Sequence, residues 1–149
     1  MIRIEIPVEP HVQKYLIEQY GQWHVASKTR MIGLEIINAL NKVYEKPDKM
    51  IDGHCSYIVY IPEYYSNTKG TTVSKNSLQH LGIVLGMMFT DDMCKHLDQQ
   101  AKKGHKALPE LKLWLQDHNI TEDDIKVETL YKYYYRYCKT KRESKKKVA

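Results

Sequence analysis

Residues 2–21 read IRIEIPVEPHVQKYLIEQYG, two periodicities set end to end. Ile2, Ile4, Ile6 and Val8 alternate with Arg3, Glu5 and Pro7, the rhythm of a strand with one buried face that ends at the first proline. From Pro10 the spacing changes. Val12, Tyr15, Leu16 and Gln19 share one helix face, Pro10 suits the first turn, Glu9 suits its positive end, and Gly21 closes the segment. A strand followed at once by a helix that packs on it predicts an α+β chain.

Working outward, Ser27 is a candidate cap for a second helix. Its stripe is Met31, Ile32, Ile36, Ala39, Leu40 and Val43, ended by Pro47, although the isoleucines leave a strand reading open. Residues 55–61 are β-branched and aromatic, bounded by Gly53 and Pro62, and read as a second strand paired with the first. Residues 1–73 are therefore expected to form a small α+β unit with two strands. Within it, residues 63–72 contain Ser66, Asn67 and Gly70 and read as a loop. Its Tyr64, Tyr65 and Lys69 are in reach of a ligand, but packing of the rings at the domain rim is the simpler reading.

The remainder is expected to be helical, giving a predominantly helical chain with a unit at 74–139 and a disordered basic tail at 140–149, all within one compact domain. Ser74 is a candidate N-cap and Gly104 a candidate stop for one long helix, or two broken near Thr90 and Asp91. Residues 81–89 are apolar nearly all round, with Gly82 and Gly86 forming a flat strip where another element can approach. Residues 106–118 form the next helix, with Pro109 in its first turn and Leu108, Leu111, Trp114, Leu115 and His118 facing inward. His118 at its end reads as a charge that favours a helix C-terminus.

The charge is distributed unevenly. Residues 126–149 hold nine Lys and Arg against Glu128 and Glu143, a net +7, whereas the rest of the chain holds 14 basic and 16 acidic residues, a net −2. From Val127 the wheel puts Val127, Leu130, Tyr131, Tyr134 and Cys138 on an inward side, and Thr129, Lys132, Tyr133, Arg136 and Lys139 on the outward side. The expected nucleic-acid surface is Lys126, Thr129, Lys132, Tyr133, Arg136 and Lys139, continued by Lys141, Arg142, Lys145, Lys146 and Lys147. Arginine makes bidentate contacts to guanine or phosphate, lysine adds point charge, and tyrosine donates to phosphate or stacks on a base. The competing reading of the lysine-rich end is a solubilising tail.

Several classes are set aside on the same residues. The alternating N-terminus is unlike a signal peptide, and the longest apolar run, 81–89, is well short of the roughly 20 residues of a spanning helix, so a cytoplasmic protein without membrane association is expected. Cys55, Cys94 and Cys138 are odd in number and widely spaced, without close partner ligands, so neither a disulfide framework nor zinc is expected, and no cofactor is called for. Glu110 with Lys112 offers a nuclease-like carboxylate and lysine, but both sit at a helix start where Glu110 serves the dipole. Asp91 and Asp92 read as solvating a kink more readily than binding a metal, and Ser77 and Cys94 have no identifiable base, so no catalytic residue is assigned.

The helical hairpin of 106–139 resembles a helix-turn-helix unit, although its connection, 119–126, exceeds the usual three or four residues. The pairing of an α+β front half with a basic helical C-terminus resembles small proteins of phages and mobile elements, which implies a nucleic-acid partner. The resulting expectation is a non-enzymatic nucleic-acid-binding protein, DNA before RNA, regulatory or replication-associated. The rival is a protein-interaction or assembly module, homo-oligomeric or with an acidic partner, using the tyrosine-rich helix as its interface.

Overall fold

A computed structural model describes residues 1–39, 43–52, 54–65 and 73–148. Its elements are β1 (Ile2–Pro7), α1 (Pro10–Tyr20), β2 (Trp23–Val25), α2 (Met31–Ala39), β3 (Ser56–Ile61), α3 (Lys75–Lys102), α4 (Ala107–Asp117) and α5 (Val127–Val148). The chain is α+β and mostly helical, and among the described residues no helix is long and apolar enough to cross a membrane. It divides into two compact units, Met1–Met87 and Met88–Ala149, with the boundary inside α3.

In the first unit three strands form a sheet in the order β1-β3-β2, with β1 antiparallel and β2 parallel to the central β3. The alternation of the opening strand is reproduced: Ile4 and Ile6 are buried beside their partners Val59 and Tyr57, while Arg3 and Glu5 face solvent. The expected count of two strands is corrected to three by β2. At three residues it is too short to show a period, and it exists because Trp23, His24 and Val25 pair with Ile58, Val59 and Tyr60. Gly21, at φ 91°, makes the turn from α1 into β2, and its carbonyl accepts a 2.9 Å hydrogen bond from the buried Tyr57 hydroxyl. Burial, and then the neighbouring Tyr20, pushes that phenol up to about 12.

Val12, Tyr15 and Leu16 of α1 are buried as expected, whereas Gln19 at the end of the same face is exposed. In α2, Ile32, Ile36 and Ala39 are buried, but Met31 is exposed at the first turn and Val43 lies beyond the helix in solvent. Ser27 does not cap this helix, which starts four residues later; its hydroxyl lies 2.9 Å from that of Thr29. Leu40 and Gly53, and the loop positions Ser66, Asn67, Lys69 and Gly70, lie outside the described residues.

Helix α3 is unbroken through Thr90 and Asp91. Ser74 caps it, its Oγ accepting the Ser77 backbone N–H at 3.1 Å. Gly104, at φ 86°, ends the run with the His105 N–H bonded back to the Gln100 carbonyl, the closure of a Schellman motif. Residues 81–89 are less buried than their composition implies, since Met87 is exposed while Leu81, Leu85 and Phe89 are not.

The glycine strip also divides. A Cβ on Gly82 would lie 2.0 Å from the Pro7 carbonyl oxygen and 2.8 Å from the Ile51 side chain, whereas a Cβ on Gly86 would meet nothing within 4 Å. Gly82 is thus where the end of β1 presses on the helix, whereas a side chain at Gly86 would enter open space. Gly82→Ala should destabilise the first unit by about 1–3 kcal/mol through overpacking against backbone, and Gly86→Ala should stabilise it by up to about 1 kcal/mol through helix propensity. Urea unfolding of both variants followed by circular dichroism checks the pair; equal effects would refute the packing assignment.

Candidate nucleic-acid interface

The second unit holds the residues that the charge pattern singles out, and its geometry begins with how α4 ends. Leu111, Trp114 and Leu115 are buried, while Leu108, expected inward, is 44% exposed in the first turn. Asn119 adopts the left-handed conformation at φ 58°, and the Ile120 N–H bonds back to the Leu115 carbonyl at 2.9 Å while its side chain is buried. The motif fixes the exit of the chain and satisfies carbonyls that a helix end leaves open.

His118 belongs to this ending. Its ring packs on Trp114 tilted by 38° at 4.2 Å between centroids, and its Nδ1 lies 2.7 Å from the Trp114 carbonyl oxygen, with the residue buried. Phe89 meets the same indole edge-on at 5.4 Å. Trp114 is therefore the anchor the sequence indicates, with His118 packed against it.

The turn after Ile120 is built from acids. Asp124 accepts the Thr121 N–H at 2.9 Å, and Glu122 accepts the Val127 N–H at 3.4 Å at the N-terminus of α5. The Glu122 carboxylate beside that first amide suits the positive end of the helix dipole. The connection between α4 and α5 spans the nine residues 118–126, well beyond a three- or four-residue turn.

On α5 the inward stripe is Leu130 and Tyr134, both buried, with Val127, Tyr137, Cys138 and Lys141 half-buried beside them. Two positions differ from the wheel. Tyr131, expected inward, is 42% exposed, whereas Tyr133, expected outward, is half-buried and carries the Arg136 guanidinium 6.0 Å above its ring. Thr129, also expected outward, is half-buried. The stripe is centred nearer Tyr134 and Lys141 than Val127, with Lys141 its last inward position.

Lys141 is the residue that moves furthest from its expected role. Its Nζ bonds the Asp98 carboxylate of α3 at 2.5 Å, and Lys102 lies 3.8 Å from the same oxygen. It is an anchor of α5 to α3 and leaves the set of cations offered to a ligand. The 140–149 segment, expected to be disordered, is helical through Val148.

The other sequence-chosen cations are placed as follows. Lys126 is exposed and immediately precedes the helix, its carbonyl accepting the Thr129 and Leu130 N–H groups. Lys132 is exposed with Glu128 4.0 Å away, and Arg136, Lys139, Arg142, Lys145, Lys146 and Lys147 are exposed along the rest of the helix. Sequence reasoning missed Tyr135, which is 61% exposed and lies one turn from Tyr131. Its signal was the i, i+4 spacing of two rings next to Lys132 and Arg136.

Beneath this face, Cys94 is buried and its thiol is pushed up to about 12 by burial first and then by the nearby Cys138 and Asp91, the environment of an inert thiol. Burial, with the hydrogen bond to Cys138, likewise raises the Tyr134 phenol. Asp91 pairs with Lys95 at 2.8 Å, and the Glu110 carboxylate lies 3.7 Å from the His105 ring. Among the described residues no group of three or more His, Cys, Asp or Glu is placed to hold a metal ion.

The hydrogen bond from Lys141, and then the charges of Lys141 and Lys102, holds the Asp98 carboxyl below its ordinary value of 3.8. A carboxylate depressed in the folded state stabilises it above the ordinary value, and that stabilisation is lost as pH falls through the depressed one. Asp98→Asn should therefore lower the melting temperature at neutral pH, with the gap to the parent closing below pH 3.8. Thermal melts across that range decide it; a constant gap would mean that the Asp98 charge does not hold α5. No family model matches the chain, and no curated protein or solved structure matches it.

Proposed function

We propose that this protein binds nucleic acid, DNA in preference to RNA, without catalysing a reaction, by laying the solvent face of α5 along the phosphate backbone. The observation that carries the reading is a single 22-residue helix with Lys132, Arg136, Lys139, Arg142, Lys145, Lys146 and Lys147 all exposed. At 1.5 Å per residue it is about 33 Å long, close to the roughly 34 Å of one duplex turn. Glu128 and Glu143 temper the face but leave a strong positive excess.

Helical order in the basic segment supports this function in a way that a disordered tail would not. Cations fixed at three- and four-residue intervals keep a constant spacing to phosphates, and each neutralised phosphate releases counterions. Arg136, propped on the Tyr133 ring, loses less rotamer freedom on binding than an unsupported arginine. Tyr131 and Tyr135 beside this row offer rings that stack on unpaired bases. Because the α4–α5 connection is long, the reading does not depend on helix-turn-helix docking, and it extends to a regulatory or replication-associated role only through DNA contact.

A specific observation favours the rival reading: the exposed pair Tyr131 and Tyr135 also suits an interface with an acidic protein. The two readings separate on salt. Fluorescence anisotropy with labelled duplex and single-stranded oligonucleotides should give an affinity that falls steeply with salt. The triple variant Lys132→Ala, Arg136→Ala, Lys139→Ala should lower the slope of log affinity against log salt by about three. Lys141→Ala should leave that slope unchanged because its charge is already paired with Asp98. Equal affinity and slope for parent and triple variant would remove the nucleic-acid assignment.

A further inference from the structure

The sheet of the first unit has an outer face set by the alternation of its three strands. Alternation puts two registered rows on it: Glu5, Ile58 and Trp23 across one row, and Arg3, Tyr60 and Val25 across the next. Trp23 is 58% exposed and Val25 40%, with Ile58 and Tyr60 half-buried between them and the charged strand. The opposite face of the same strands is buried, so this one presents an aromatic and aliphatic surface that a lone copy leaves in water.

The charges on this face indicate what it suits. Arg3 and Glu5 lie two residues apart on β1, 2.8 Å from guanidinium nitrogen to carboxylate oxygen, and together they make the face neutral. A neutral surface with a carboxylate in the Trp23 row does not attract phosphate, so the chemistry differs from that of α5. It does fit itself. A two-fold axis lying between two such faces, perpendicular to the strands and midway between the rows, exchanges one row with the other. Arg3 then meets Glu5 of the second copy, Trp23 meets Val25, and Tyr60 meets Ile58, so that each charge finds its opposite and each larger ring a smaller side chain.

We propose that the chain forms a homodimer by packing this face against that of a second copy, with Ile58 and Tyr60 at the centre, Trp23 as the main anchor on the β2 side and two reciprocal Arg3–Glu5 pairs on the β1 side. The arrangement is the aligned packing of two sheets, about 10 Å apart. Burying the exposed Trp23 and Val25 side chains, with the solvent-facing part of Ile58, supplies the association energy, and the ion pairs fix orientation.

Sedimentation velocity on the full chain tests this without reference to nucleic acid. At about 100 µM the parent should sediment at twice the 17.6 kDa monomer mass, and Trp23→Lys should weaken association at least about a hundredfold. Arg3→Glu alone sets Glu against Glu in both pairs, and Glu5→Arg alone sets Arg against Arg, so each should weaken self-association at least about tenfold. An equimolar mixture of those two variants restores an opposite charge in both pairs and should return to the dimer mass. That rescue also shows that the variants are folded. A parent that stays monomeric, a parent dimer indifferent to all three substitutions, or single variants that fail to rescue each other while retaining the parent circular dichroism would each overturn the proposal.

Discussion

Every fourth residue of α3 from Leu81 through Leu85, Phe89 and Met93 to Leu97 is removed from solvent, and the two compact units draw on this one line. Leu81 and Leu85 serve the sheet unit, and Phe89, Met93 and Leu97 serve the helical one. A helix of 28 residues without proline can remain unbroken while its neighbours change from strands to helices. The polar ends of the line are settled locally, by the Ser74 cap and the Gly104 turn, so the helix is defined before its neighbours are considered.

The same economy is visible in how α5 is held. A segment rich in lysine has little reason to stay helical in isolation once its apolar stripe ends at Cys138. Here the stripe is continued by a charge: Lys141 occupies the next inward position and finds Asp98 of α3, with Lys102 on the same carboxylate. One cation is therefore turned inward while its neighbours remain in solvent, which separates the structural from the ligand-facing members of a run that composition treats as uniform.

What was legible in the sequence followed from local rules. The alternation of Ile2, Ile4 and Ile6, the proline at the start of α1, the Ser74 cap and the Trp114 anchor all depend on neighbours within a few residues, and they stand where the spacing put them. What escaped depended on distant partners. Trp23–Val25 is a strand only because Ile58–Tyr60 lies beside it, and Gly82 differs from Gly86 only because the Pro7 carbonyl reaches one of them. Lys141 differs from Lys139 only because Asp98, 43 positions earlier, faces it. The wheel of α5 was rotated by part of a turn for the same reason, exchanging the exposures assigned to Tyr131 and Tyr133.

The chain contains two tryptophans, and the division into units gives each unit one of them. Trp23 stands in solvent on an edge strand, while Trp114 is enclosed by Phe89 and His118. In the monomer their surroundings differ enough that a soluble collisional quencher reaches the first indole and not the second, and packing of a second copy over Trp23 closes that access. The protein thus carries a distinct optical reporter in each half, so that the melting of the sheet unit and of the helical unit can be followed independently without attaching a dye.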